Sequence, residues 1–100
     1  MHVRISWGRL RPGTWDDYEA AYREFAAGAG AVEGLKGRML ARDLEDRDAG
    51  YAVSMWDSHD AMDAYEQSEL RQQLLPRLQA FFADDFTTRH CEVTFRQDLP

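Results

Sequence analysis

The sequence predicts an α+β fold: a ferredoxin-like βαββαβ chain with an antiparallel sheet and the helices on one of its faces. Three observations lead there. Apolar residues alternate with polar ones in three separate runs and fill both parities of a fourth, they recur at helical spacing in two others, and a short polar turn joins the middle two extended runs into a hairpin. Strand, helix, strand, strand, helix, strand is the split-βαβ order, and right-handed crossovers bring both helical segments to the same side of the sheet.

Each element has its own warrant. Val3, Ile5 and Trp7 alternate with Arg4, Ser6 and Gly8, a period of two that reads as a first strand with one face buried. Gly8 reads as a bulge, and Pro12-Gly13 ends the strand. Thr14 is read as an N-cap, with Asp16 and Asp17 in the first turn where acids complement the helix dipole. Trp15, Tyr18, Tyr22 and Phe25 then form one helical stripe, which Gly28 and Gly30 stop. Between Gly34 and Glu45 both parities carry apolar residues, as in a strand covered on two sides. Asp46 to Gly50 is the turn, and Tyr51, Val53 and Met55 begin the next strand, which ends at Trp56.

Asp57 or Ser58 caps a short helix carrying Ala61, Met62 and Tyr65. Ser68 caps a second piece with Leu70, Leu74, Leu78 and Phe81, in which Pro76 predicts a kink or break. Ala83-Asp84-Asp85 ends it, and Thr87 to Phe95 alternates as a last strand. Phe86 falls on one parity of that strand and Val93 and Phe95 on the other, so the sheet face away from the helices needs a cover. A second copy packed sheet to sheet supplies one.

Composition narrows the function. One hundred residues predict a single domain over 1–100. The net charge of −6 gives no electrostatic support for binding nucleic acid or an anionic membrane surface. Cys91 is the only cysteine, so neither an intrachain disulfide nor an all-cysteine metal site is available. The absence of a leader pattern or a long apolar run predicts a cytoplasmic protein.

Arg9-Leu10-Arg11-Pro12-Gly13, Gly34-Leu35-Lys36-Gly37, Trp56-x-Ser58 and Ser68-Glu69-Leu70-Arg71 resemble the antibiotic biosynthesis monooxygenase superfamily, the dimeric α/β barrels. The resemblance covers nearly the whole chain and implies a homodimer with a small-molecule pocket. Within the superfamily, the cofactor-independent quinone-forming branch is similar at Trp56 and Arg71. That branch carries asparagine where this chain has Ala52 and tyrosine where it has Met62. In the haem-degrading branch the characteristic asparagine, second tryptophan and axial histidine fall on Ser6, Tyr65 and Leu75, and losing the iron ligand argues against haem.

Arg71, Tyr65 and His59 are therefore the candidate catalytic residues, and Trp56, Tyr22, Tyr51 and Met62 the candidate substrate contacts. Arg71 would stabilise an oxyanion, Trp56 would stack on a planar ligand, and His59 would act as a general base. Each has a plainer reading as well: Trp56 as a core aromatic, Arg71 as a solvated charge near Glu66 or Glu69, the tyrosines as core-rim residues, His59 as an exposed first-turn side chain. His90-x-Glu92 is too generic a pair for a metal site. The expected activity is a cofactor-independent oxygenase acting on a phenolic or polyketide-like small aromatic molecule. The alternative is a homodimer that binds such a molecule without turning it over.

Overall fold

The computed structural model describes residues 1–84 and 86–100; Asp85, read above as part of a helix-ending turn, lies outside them. The chain folds as β1 (His2–Arg9), α1 (Trp15–Ala29), β2 (Leu35–Arg42), β3 (Ala49–Trp56), α2 (His59–Glu66), α3 (Glu69–Gln79) and β4 (Thr87–Glu92). The strands form one sheet in the order β2-β3-β1-β4, each neighbour antiparallel, with the helices on one side. This is the predicted ferredoxin-like arrangement. No described helix is long and apolar enough to cross a membrane.

Which strand parity meets the helices decides everything about the site. Among the described residues the buried apolar side chains are Leu10, Trp15, Tyr18, Ala49, Trp56 and Met62. None of Val3, Ile5, Trp7, Tyr51, Val53 or Met55 is among them. These residues form the sheet face that no described helix covers, where Tyr51 and Met39 are 43% and 49% exposed. The helices instead cover Arg4, Ser6 and Gly8 of β1, Leu10 just beyond it, and Ala52, Ser54 and Trp56 of β3. The apolar alternation of β1 thus marks the uncovered face, and the polar alternation faces inward.

Two glycines make the inward face flat enough to pack. Gly8 and Gly50 are register partners on β1 and β3. A Cβ at Gly8 would overlap the Phe82 ring, and one at Gly50 would sit 2.6 Å from Trp15. Gly8 is therefore not a bulge: β1 runs in unbroken register with β3, and the sheet's irregularity lies between Leu35 and Gly37 of β2. Trp15 and Tyr18 pack with Leu10, and Tyr22, Leu40, Leu78, Phe81 and Phe82 close around them. Rings of Tyr18 and Phe82 meet edge to face at 5.9 Å, a favoured aromatic geometry.

Helix ends follow local chemistry. Ser58 and Ser68 cap α2 and α3, their hydroxyls accepting from Ala61 N at 3.1 Å and Arg71 N at 3.3 Å. Thr14 does not cap α1, because its hydroxyl donates to Arg11 O at 2.7 Å instead. Gly28 lies inside α1, which ends at Gly30 with φ of 65°. Pro76 does not break α3: the helix continues to Gln79, and Pro76 O accepts from Ala80 N at 3.1 Å. The break falls before it, at Gln67 and Ser68. β4 ends at Glu92, short of Val93 and Phe95.

Candidate functional site

Register sets the floor of a cavity between sheet and helices. Arg38 pairs with Ser54, Ser54 with Arg4, and Arg4 with His90, so these four form one row across all strands. The next row is Leu40, Ala52, Ser6 and Thr88, in which Ser6 Oγ and Thr88 Oγ1 lie 2.9 Å apart. Because neighbouring strands are ~4.8 Å apart, the Arg38 and Arg4 backbones stand about 10 Å apart. Tyr22 and Phe25 of α1 and Arg71, Leu75 and Leu78 of α3 close the space from above. Trp56 and Tyr65 wall one end, their ring centres 5.2 Å apart, and Phe82 and Phe86 the other. The space open to the centre of a water-sized sphere is about 80 Å³, several times the ~10–15 Å³ that one water needs.

The lining is apolar apart from a few directed groups. Trp56 is 1% exposed, and its indole N–H donates to Ser54 Oγ at 2.9 Å. That bond satisfies the one polar atom of a buried ring and fixes the ring's plane. Tyr18 and Tyr22 are phenols that stay protonated: burial pushes Tyr18 up to about 12, helped by Tyr22 beside it, and burial also raises Tyr22. Both can donate to a ligand and neither can serve as a base near neutral pH.

The cavity is cationic in a chain that is anionic overall. Three guanidinium groups line it, from Arg4, Arg38 and Arg71. Arg4 Nε lies 2.8 Å from Glu66 Oε1, with its N–H not aimed at that oxygen. The same oxygen lies 2.7 Å from His90 Nε2. Burial pushes the Arg4 guanidinium down from its ordinary range, and the neighbouring Arg71 charge lowers it further. Arg38 Nη2 donates to Tyr65 Oη at a long 3.4 Å, and its guanidinium sits 5.3 Å from the Phe25 ring centre and 5.9 Å from that of Tyr65. Among the described residues, neither Arg38 nor Arg71 has an ion-pair partner.

Four of the sequence-predicted residues meet here: Trp56, Tyr65, Arg71 and Tyr22. Three do not. Tyr51 lies on the uncovered sheet face, because it is an odd number of residues from Trp56 on the same strand. Met62 is 0% exposed and packs beneath α2 rather than along the cavity. His59 starts α2 and meets His2 edge to face at 5.9 Å, outside the cavity, so it is not placed to act as a base there. No described lining residue is a carboxylate or an imidazole. Sequence reading missed Arg4, Ser6, Arg38 and Ser54. Their signal was the paired expectation of helices on one face and a second copy on the other: an apolar parity reserved for the copy leaves the polar parity for the cavity. Among the described residues no three of His, Cys, Asp and Glu gather as a metal site requires.

Comparisons with known proteins agree with this architecture. A Bordetella bronchiseptica protein assigned to the antibiotic biosynthesis monooxygenases superposes with a TM-score of 0.82 at 22% identity, covering 94% of this chain and 97% of that one. A Deinococcus radiodurans protein with the same assignment gives 0.82 at 13% identity, covering 100% and 99%. A conserved protein from Methanosarcina mazei Go1 gives 0.78 at 12%, covering 91% of each. Likeness at these identities bears on the fold. No curated protein matches the sequence. The sequence model of the family described as antibiotic biosynthesis monooxygenase matches residues 1–77, from β1 through most of α3. The chain belongs to the antibiotic biosynthesis monooxygenase family.

Proposed function

We propose that the protein is a cofactor-independent monooxygenase acting on a planar phenolic or polyketide-like molecule. The observation that carries this reading is that Arg71, Tyr65 and Trp56 line one largely apolar cavity. The chemistry needs little more. An anthrone-type CH₂ between aryl rings ionises through its enol, and the resulting aryloxide passes one electron to O₂. The radical pair closes a C–O bond, and the hydroperoxide loses water to leave a carbonyl. One oxygen atom ends in the product and one in water, with the four electrons drawn from the two C–H bonds of that carbon. A fixed guanidinium in a water-poor slot favours the aryloxide on which every later step depends. Trp56 would hold the ring plane, and the Tyr22 phenol would donate to a ring oxygen.

Oxygen uptake with a panel of hydroquinones and anthrones tests the reading. Turnover is expected, with Arg71→Gln slower by ~10²–10³-fold, the scale of removing one oxyanion donor. No uptake above buffer, or an Arg71→Gln variant equal to the parent, would sink it. A second reading, a binder without turnover, is favoured by Ala52 and Leu75: both put hydrocarbon into the wall where related branches carry polar groups. It predicts a ligand that raises thermal stability and is recovered unchanged. Leu75 offers no ligand to haem iron, so titration with haemin should give no Soret band.

We further propose a homodimer joined through the uncovered sheet face. Val3, Ile5, Trp7, Met39, Val53 and Met55 give that face a run of partly exposed apolar side chains that no described helix covers, the kind of surface that marks an interaction site. Light scattering should give about twice 11.6 kDa, and Val53→Asp should shift the protein to monomer. A monomeric parent would refute it.

A further inference from the structure

We propose that the cavity selects planar ligands that carry an ionised carboxylate in addition to the reacting ring oxygen, and that Arg38 holds this carboxylate. The inference rests on the reading of the cavity as a ligand site and adds the ligand's second, permanent charge. The charges within the cavity do not balance. Of its three guanidinium groups only Arg4 has a carboxylate, Glu66, and that carboxylate is shared with His90. Arg38 and Arg71 have none among the described residues.

Arg38 is the more telling of the two. It is half-buried, sits beside the Phe25 and Tyr65 rings, and has only a neutral phenol as hydrogen-bond partner, at 3.4 Å. A half-buried guanidinium packed beside aromatic rings and left without an anion keeps charge-assisted donors free for a ligand. Its planar fork matches a carboxylate with two parallel N–H bonds. The flanking rings set a plane in which an aryl carboxylate would lie.

Spacing separates the two anionic points. Arg38 stands two strands from Arg4, about 10 Å at the backbone, and Arg71 is a close electrostatic neighbour of Arg4. A fused bicyclic ligand with an oxygen at one end and a carboxylate at the other spans that distance. The lining also holds no carboxylate or imidazole base among its described residues. A ligand that arrives already charged is drawn in without one.

The test uses 6-hydroxy-2-naphthoate and its methyl ester, which share ring and hydroxyl and differ in charge. Calorimetric titration of the 100-residue protein under argon is expected to show the acid binding tighter than the ester by on the order of tenfold or more, the scale of one charge-assisted contact. Arg38→Gln should bring the ratio to near unity, Arg38→Lys should keep part of it, and Arg71→Gln should leave it in place. Equal binding of acid and ester by the parent overturns the proposal, as does a ratio that survives Arg38→Gln. The parent comparison needs no variant to fold. Because no oxygen is present, the result is independent of turnover: a charge preference without oxygen uptake supports the carboxylate subsite and rejects the oxygenase, and uptake without preference does the reverse.

Discussion

Gly8→Ala is the most direct probe of how the cavity is built. The added Cβ would overlap Phe82 Cε1 and stand 2.7 Å from Cδ1 and 3.3 Å from Cζ. Carbon atoms in good contact lie ~3.5–4.0 Å apart, so the ring must withdraw by more than ~1 Å. It has little room to do so, with Phe86 stacked at 5.2 Å and Tyr18 edge-on at 5.9 Å. Overpacking of this kind costs ~1–3 kcal/mol. For a domain of this size each kcal/mol is worth ~4–8 °C, which gives a fall in Tm between about 4 and 24 °C. Phe82 also lines the cavity, so a displaced ring should weaken ligand binding as well as stability. Differential scanning calorimetry measures the first effect and titration the second, and adding Phe82→Leu to Gly8→Ala should restore part of the lost Tm. An unchanged Tm for Gly8→Ala would refute the claim that Phe82 packs directly on the sheet at this position.

Met62→Ala removes a side chain that is 0% exposed and should cost ~2–5 kcal/mol in urea unfolding; because Met62 stands off the cavity, bound-ligand affinity in the folded variant should stay near that of the parent. Tyr18 predicts an alkaline limit. Its phenol titrates at about 12 in the native protein and near ~10 in the unfolded chain. The native state therefore holds a proton that the unfolded state has released, so stability is full below about pH 10 and falls as pH rises toward about 12. Urea midpoints should decline in that window, and less steeply for Tyr18→Phe; parallel slopes for the two proteins would contradict the assignment.

Element order was legible because periodicity is a local property: the Val3, Ile5, Trp7 alternation and the Trp15, Tyr18, Tyr22 stripe each announce their own geometry. Facing was not. A period of two states that two faces differ without stating which one meets the helices, and Val3, Ile5 and Trp7 proved to be the uncovered set. That ambiguity hid Arg4, Ser6, Arg38 and Ser54, which look like solvent-facing residues until the sheet is assembled. Trp56 stands out from its place at the end of a strand, and the family resemblance points to Arg71 and Tyr65. Tyr51 was misplaced although counting alone separates it from Trp56, since residues five apart on a regular strand point to opposite sides. His59 and Met62 share α2 with Tyr65, but one sits at the helix start and the other turns into the core. Gly8 was read from the chain's flexibility, whereas its role is the absence of volume beneath Phe82.

The two sides of β1 answer to different demands, and the chain interleaves them residue by residue. Substitutions at Arg4 or Ser6 retune what the cavity accepts without touching Val3, Ile5 or Trp7, and the converse holds for the outer face. Length is not free in this way. Inserting one residue between Val3 and Arg4 would carry the residues before it to the wrong side or break the ladder with β3 and β4. Divergence along this strand should therefore proceed by replacement, with insertions and deletions confined to turns such as Asp43 to Asp48.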